Sequence, residues 1–130
     1  MKRLFFALPV LTLALAACAA NRSPYAPVDN VRYQAMGAEP FWLLVIGDDR
    51  IILRSSDQAA EAVWPRTLPR TEGDRRIWQA GDGIRVISVE TRPGPCETEG
   101  EEIYADHVRV RLSGRELNGC GGRLLRRSPR

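Results

Sequence analysis

The chain has 130 residues, 44% hydrophobic and 27% charged, a composition that excludes a chain disordered throughout, a multidomain enzyme and a polytopic membrane protein. Its formal charge is +3, but Lys2 and Arg3 lie in a predicted leader and four more arginines lie between Arg123 and Arg130, so residues 18–122 carry 13 basic against 16 acidic groups. A slightly acidic body has no electrostatic footprint for nucleic acid, and nucleic acid is not expected as a partner.

The first predicted element is a targeting segment, residues 1–17. Met1-Lys2-Arg3 is a short positive start, Leu4 to Ala14 an apolar run broken by Pro9 and Thr12, and Leu15-Ala16-Ala17-Cys18 a small-residue cleavage site ending in cysteine. The apolar run is too short to span a bilayer as a helix. The site resembles a bacterial lipobox, which implies that Cys18 is cut free at its amide, acylated, and holds the protein on a membrane facing the periplasm. Ala19, where a sorting aspartate would stand in enteric lipoproteins, implies the outer membrane.

Residues 18–30 are small, polar and proline-bearing without periodicity, as expected of a lipidated tether. A β domain is expected over residues 31–122. Phe41 to Ile46 and Ile51 to Ser55 flank Gly47-Asp48-Asp49-Arg50, and Arg75 to Gln79 and Ile84 to Thr91 flank Ala80-Gly81-Asp82-Gly83, so both stretches predict hairpins. The apolar phase slips between Val86 and Ile87, which fits a bulge or a strand buried on both faces. Asp57 to Trp64, with three alanines ahead of Pro65, predicts a short helical turn, and residues 65–74 predict a loop. Val108, Val110 and Leu112 alternate with His107, Arg109 and Arg111 before Ser113-Gly114, predicting a third hairpin into Glu116 to Cys120. Residues 123–130 are expected to form a basic, flexible tail. The fold class predicted is all-β: a small antiparallel barrel or strongly curved sheet of about seven to eight strands.

Export places the domain in an oxidising compartment, and lipidation of Cys18 leaves Cys96 and Cys120 as an even pair, so a disulfide between them is expected. The single histidine, His107, falls on a polar strand face; no serine sits in a nucleophile elbow; no His or Cys spacing matches a metal site. No catalytic residues, metal or cofactor are therefore expected, and the protein is not expected to be an enzyme. Glu97, Glu99, Glu101 and Glu102, followed by Asp106, leave three readings open: a solvated loop, a surface steering a basic protein partner, or a calcium loop of unfamiliar spacing. Gly37-Ala38-Glu39-Pro40-Phe41-Trp42 predicts a corner that sends one aromatic into the core and one to the surface, with Glu39 and Trp42 as candidate contacts for a ligand or partner.

Tyr33 to Trp42 is similar to the aromatic-x-x-x-Gly-x-Glu-Pro-Phe-Trp opening of a family of small, largely uncharacterised bacterial envelope lipoproteins. Cys96, Tyr104, the Val108-x-Val110-x-Leu112 strand and Gly114 to Cys120 resemble that family's closing segment. The resemblance implies an envelope location and a β fold. Between the cysteines the chain departs from it, with Glu97 to Glu102 where the family carries an Asp-Gly-Met-Ser-Asp-like run, and Tyr104-Ala105 where it carries Tyr-Pro. The expected role is non-enzymatic, binding another envelope component or maintaining the envelope. The alternative is a periplasmic inhibitor of C-type lysozyme-like hydrolases, its acidic loop meeting a basic enzyme.

Overall fold

The computed structural model describes residues 30–127; the predicted signal peptide, Cys18 and the tether up to residue 29 lie outside them, as do residues 128–130. Nine strands follow one another: β1 (Tyr33–Gly37), β2 (Trp42–Ile46), β3 (Arg50–Ser55), β4 (Ala62–Pro65), β5 (Arg70–Glu72), β6 (Arg75–Gly81), β7 (Val86–Glu97), β8 (Glu102–Leu112) and β9 (Arg115–Arg127). All neighbours pair antiparallel, in the order β4-β3-β2-β1-β9-β8-β7-β6-β5. The protein is thus all-β, as expected, with one strand more than the upper expectation.

The sheet curls into a half-barrel because period-two alternation puts one apolar face inward along almost every strand. Trp42, Leu44 and Ile46 of β2, Ile51 and Leu53 of β3, Trp64 of β4, Trp78 of β6, Ile87 and Val89 of β7 and Val110 of β8 form one buried cluster. The two edges approach without a shared ladder. Trp64 Nε1 donates to the Arg85 carbonyl at 3.3 Å, the Arg85 guanidinium lies 5.4 Å from the Trp64 ring centroid, and Thr67 Oγ1 donates to the Gln79 carbonyl at 2.7 Å. Side chains therefore hold the seam together.

Four local expectations are corrected. The predicted helical turn at 57–64 is a turn leading into β4: Ala62 and Trp64 pair with Leu53 and Ile51, and burying that tryptophan outweighs the weak helix preference of three alanines. The predicted loop at 65–74 contains β5, which its uniformly exposed residues concealed; Glu72 meets Arg70 at 3.1 Å and Arg75 at 3.2 Å around the Gly73 turn. The phase slip at Val86 is no bulge. Ile84 belongs to the β6–β7 turn and Val86 opens β7 facing outward, while the register shift in β7 lies between Pro93 and Cys96. Finally, β9 continues through Arg127 instead of fraying after Gly122, because Leu124, Arg126 and Arg127 find backbone partners in Tyr104, Ile103 and Glu102.

In the β6–β7 turn, the Asp82 carboxylate accepts the Arg85 N–H at 2.7 Å and the Ile84 N–H at 2.9 Å, and these two donors hold its pKa below the usual 3.8. A depressed carboxylate pKa contributes stability that is present above the unfolded value and lost as pH falls through the folded one. The Asp82 side-chain carbon should therefore titrate below pH 3.8 by NMR. A midpoint at or above the free-aspartate value would refute this turn geometry.

Candidate functional site

Two segments that composition marks as unusual are 55 or more positions apart in sequence, Gly37 to Trp42 and Glu97 to Glu102, yet they form facing walls of one cleft. The first wall arises where β1 passes into β2. Glu39 adopts a left-handed φ of 64° ahead of a cis Glu39–Pro40 bond, and Gly37 pairs with Trp42 in the ladder. Trp42 then turns inward, 1% exposed, while Phe41 stays outside, 57% exposed. The Trp42 ring lies against the backbones of Gly37 and Gly119, at positions a Cβ would occupy. Glycine is required at both for close approach.

The second wall is the β7–β8 hairpin tip. After the register shift β7 stays paired with β8 through Cys96 with Tyr104 and Glu97 with Ile103, and the Cys96–Cys120 disulfide, with Cα atoms 5.5 Å apart, ties it to β9. The tip is tight. Glu101 N–H donates to the Thr98 carbonyl at 3.0 Å, Thr98 N–H to the Glu102 carbonyl at 2.8 Å, and Glu102 N–H to Thr98 Oγ1 at 3.2 Å, with Glu101 at φ 62°. This fixes where the carboxylates stand.

The cleft between the walls measures about 510 Å³ and is lined by Met36, Gly37, Ala38 and Phe41 on one side, by Glu97, Thr98, Glu99, Gly100 and Glu102 on the other, and by Asn118, Gly119 and Cys120 as its floor. Its carboxylates differ in availability. Glu102 accepts the Tyr104 hydroxyl at 2.8 Å and lies 3.6 Å from Arg127, and that hydrogen bond is the main cause pushing the Tyr104 pKa up. Among the described residues, no side-chain hydrogen bond or ion pair engages Glu97 or Glu99. The site therefore offers an apolar shelf beside two uncompensated negative charges. That arrangement fits a cationic group carried on an apolar or aromatic body.

Of the predicted contacts, Glu97, Glu99 and Glu102 line this cleft. Glu101 shares the hairpin tip without lining it, and Glu39 is exposed on the opposite turn. Trp42 is corrected: it is a core residue, and Phe41 is the surface aromatic. Parity with Leu44 and Ile46 points Trp42 inward, but Leu43 and Val45 are also apolar, so β2 alone left the choice open. Met36, Asn118 and Gly119 carry no sequence signal of a site. They reach the cleft only through the pairing of β1 with β9.

A second recess, about 460 Å³, shares Asn118 and Gly119 and is lined by His107, Arg92, Arg109 and Glu90. Its charged side chains are already paired, partly with residues outside the recess: Glu90 lies 3.4 Å from Arg75 and 3.9 Å from Arg92, and Arg109 lies 3.0 Å from Glu116. Among the described residues no group of three or more His, Cys, Asp and Glu side chains converges as a metal site would. Comparison of the chain with protein-family models, with curated proteins and with solved structures finds no match.

Proposed function

We propose that the protein is a lipid-anchored envelope binding module, held at Cys18 and without enzymatic activity, whose cleft between Phe41 and the Glu97–Glu102 hairpin takes a cationic, partly apolar segment of another envelope component. The observation that supports this reading is the position of Glu97 and Glu99, without side-chain partners among the described residues, on a disulfide-stapled tip beside the exposed Phe41. A carboxylate pair needing only solvation would not require an apolar shelf next to it. A basic hydrolase is one partner of this chemistry, which keeps the lysozyme-inhibitor reading within the same site.

Titrating the isotope-labelled protein with the dipeptide amide Arg-Trp-NH2 should shift the amides of Ala38, Thr98, Gly100 and Gly119. The shifts should vanish in Glu97→Gln/Glu99→Gln and weaken as salt shortens the Debye length from about 30 Å at 0.01 M to about 10 Å at 0.1 M. Absence of any shift at low salt would remove the cleft as a site. A C-type lysozyme activity assay in the same buffers separates the partners: salt-sensitive inhibition names a hydrolase, and unimpaired activity leaves a non-hydrolase ligand.

A further inference from the structure

We infer that the ligand of the cleft is dipolar: an extended peptide segment whose cationic, apolar residue sits between Phe41 and the Glu97–Glu102 hairpin, and whose acidic side chain, about three residues further along, reaches the arginine-lined recess next to it. The inference rests on the cleft reading and narrows the chemistry of what the cleft holds.

Strand pairing joins the two concavities. On β8 Val108, Val110 and Leu112 are buried, so His107, Arg109 and Arg111 stand on the outer face of the sheet. Two rows of partners then cross that face. Arg92 of β7, His107 of β8, Cys120 of β9 and Met36 of β1 are successive partners, and so are Glu90, Arg109 and Asn118. The first row starts with two residues that line the recess and ends with two that line the cleft, while Asn118 and Gly119 line both. The cleft and the recess are therefore adjoining stretches of one surface. With neighbouring strands about 4.8 Å apart, β1 and β8 are separated by roughly 10 Å, the rise of about three residues of extended chain.

Charge changes sign along this path. At the cleft end Glu97 and Glu99 have no side-chain partners among the described residues. At the recess end guanidinium is in excess, because the ion pairs there form two unequal clusters. Arg70, Arg75 and Arg92 share Glu72 and Glu90, and Arg109 and Arg111 share Glu116. Each cluster holds one arginine more than it holds carboxylates, and Arg109 Nε, 3.0 Å from Glu116, makes no hydrogen bond with it. A guanidinium offers five donors in a planar fork, more than a shared carboxylate can occupy. An arriving carboxylate would complete this pairing, whereas a second cation would be repelled. A uniformly cationic ligand is thus served only at the cleft end, and one that turns acidic three residues on is served at both.

The test compares Arg-Trp-Gly-Asp-NH2 with Arg-Trp-Gly-Asn-NH2 on the isotope-labelled protein at low salt. Residues 18–122 carry 13 basic against 16 acidic groups, so non-specific attraction alone favours the asparagine peptide, which has the higher positive charge. The aspartate peptide should nevertheless bind about fivefold more tightly, the worth of one partly exposed ion pair, and should add shifts at the amides of Arg92, His107 and Arg109. In Arg92→Gln/Arg109→Gln that preference should disappear while Arg-Trp-NH2 binds as before. Equal affinities for the two tetrapeptides, or a preference that survives in the double variant, would overturn the dipolar ligand and leave the cleft reading intact, since Arg-Trp-NH2 still binds. Loss of Arg-Trp-NH2 binding in the double variant also overturns it, because the arginines would then be supporting the cleft and not meeting a carboxylate. No shift with any of the three peptides defeats the cleft reading, and this inference with it.

Discussion

Replacing Gly119 by alanine is expected to destabilise the protein by about 3 kcal/mol or more, at the upper end of what overpacking costs. The added methyl would enter the Met36 carbonyl of the paired strand and come within 2.7 Å of Trp42 Cζ2. Neither can yield cheaply. The carbonyl is part of the β1–β9 contact, where Met36 pairs with Cys120, and the indole is buried in the core. Gly100→Ala is the control, because its Cβ would find nothing nearer than Thr98 Oγ1 at 3.7 Å and should change stability by only a few tenths of a kcal/mol. Urea midpoints of the two variants decide the matter: similar midpoints would mean that β9 does not lie against β1 as described.

Removing the disulfide as Cys96→Ala/Cys120→Ala has the second large expected effect. The bridge spans 24 positions, for which the chain-entropy estimate is about 3.5 kcal/mol of stabilisation through the unfolded state. It also has a local consequence that entropy does not describe. Past the register shift, β7 holds to β8 through only Cys96 with Tyr104 and Glu97 with Ile103, so the bridge is the main tie between the hairpin and the cleft floor. Amide exchange over residues 97–102 should accelerate more than exchange in β2 or β3, and Arg-Trp-NH2 binding should weaken even where the domain stays folded. Uniform acceleration across the sheet would show that the bridge acts on global stability alone.

Both predictions concern the same neighbourhood, and it was unevenly legible beforehand. Alternation in Val108, Val110 and Leu112 and the turn residues around Gly47 and Gly81 declared the three hairpins, because a strand with one buried face writes its period directly into the chain. β5 has no buried face and β4 hides its period behind alanines, so neither could be read from pattern. The end of β9 looked like a tail because its arginines are exposed, although its backbone pairs with β8. Exposure of side chains carries no information about where N–H and C=O groups go.

The amino-acid sequence by itself determined the all-β class, the cysteine pair and the two segments whose composition asked for an explanation, since each rests on local periodicity or simple counting. Only the tertiary structure decided that those segments face each other, that Phe41 and not Trp42 is the exposed aromatic, and that, among the described residues, Glu102 has side-chain partners while Glu97 and Glu99 have none. The physical reason is that the cleft depends on contacts between residues more than fifty positions apart, set by the curl of the sheet, the β1–β9 pairing and the disulfide between β7 and β9, and no local pattern encodes which distant strand a given face will meet.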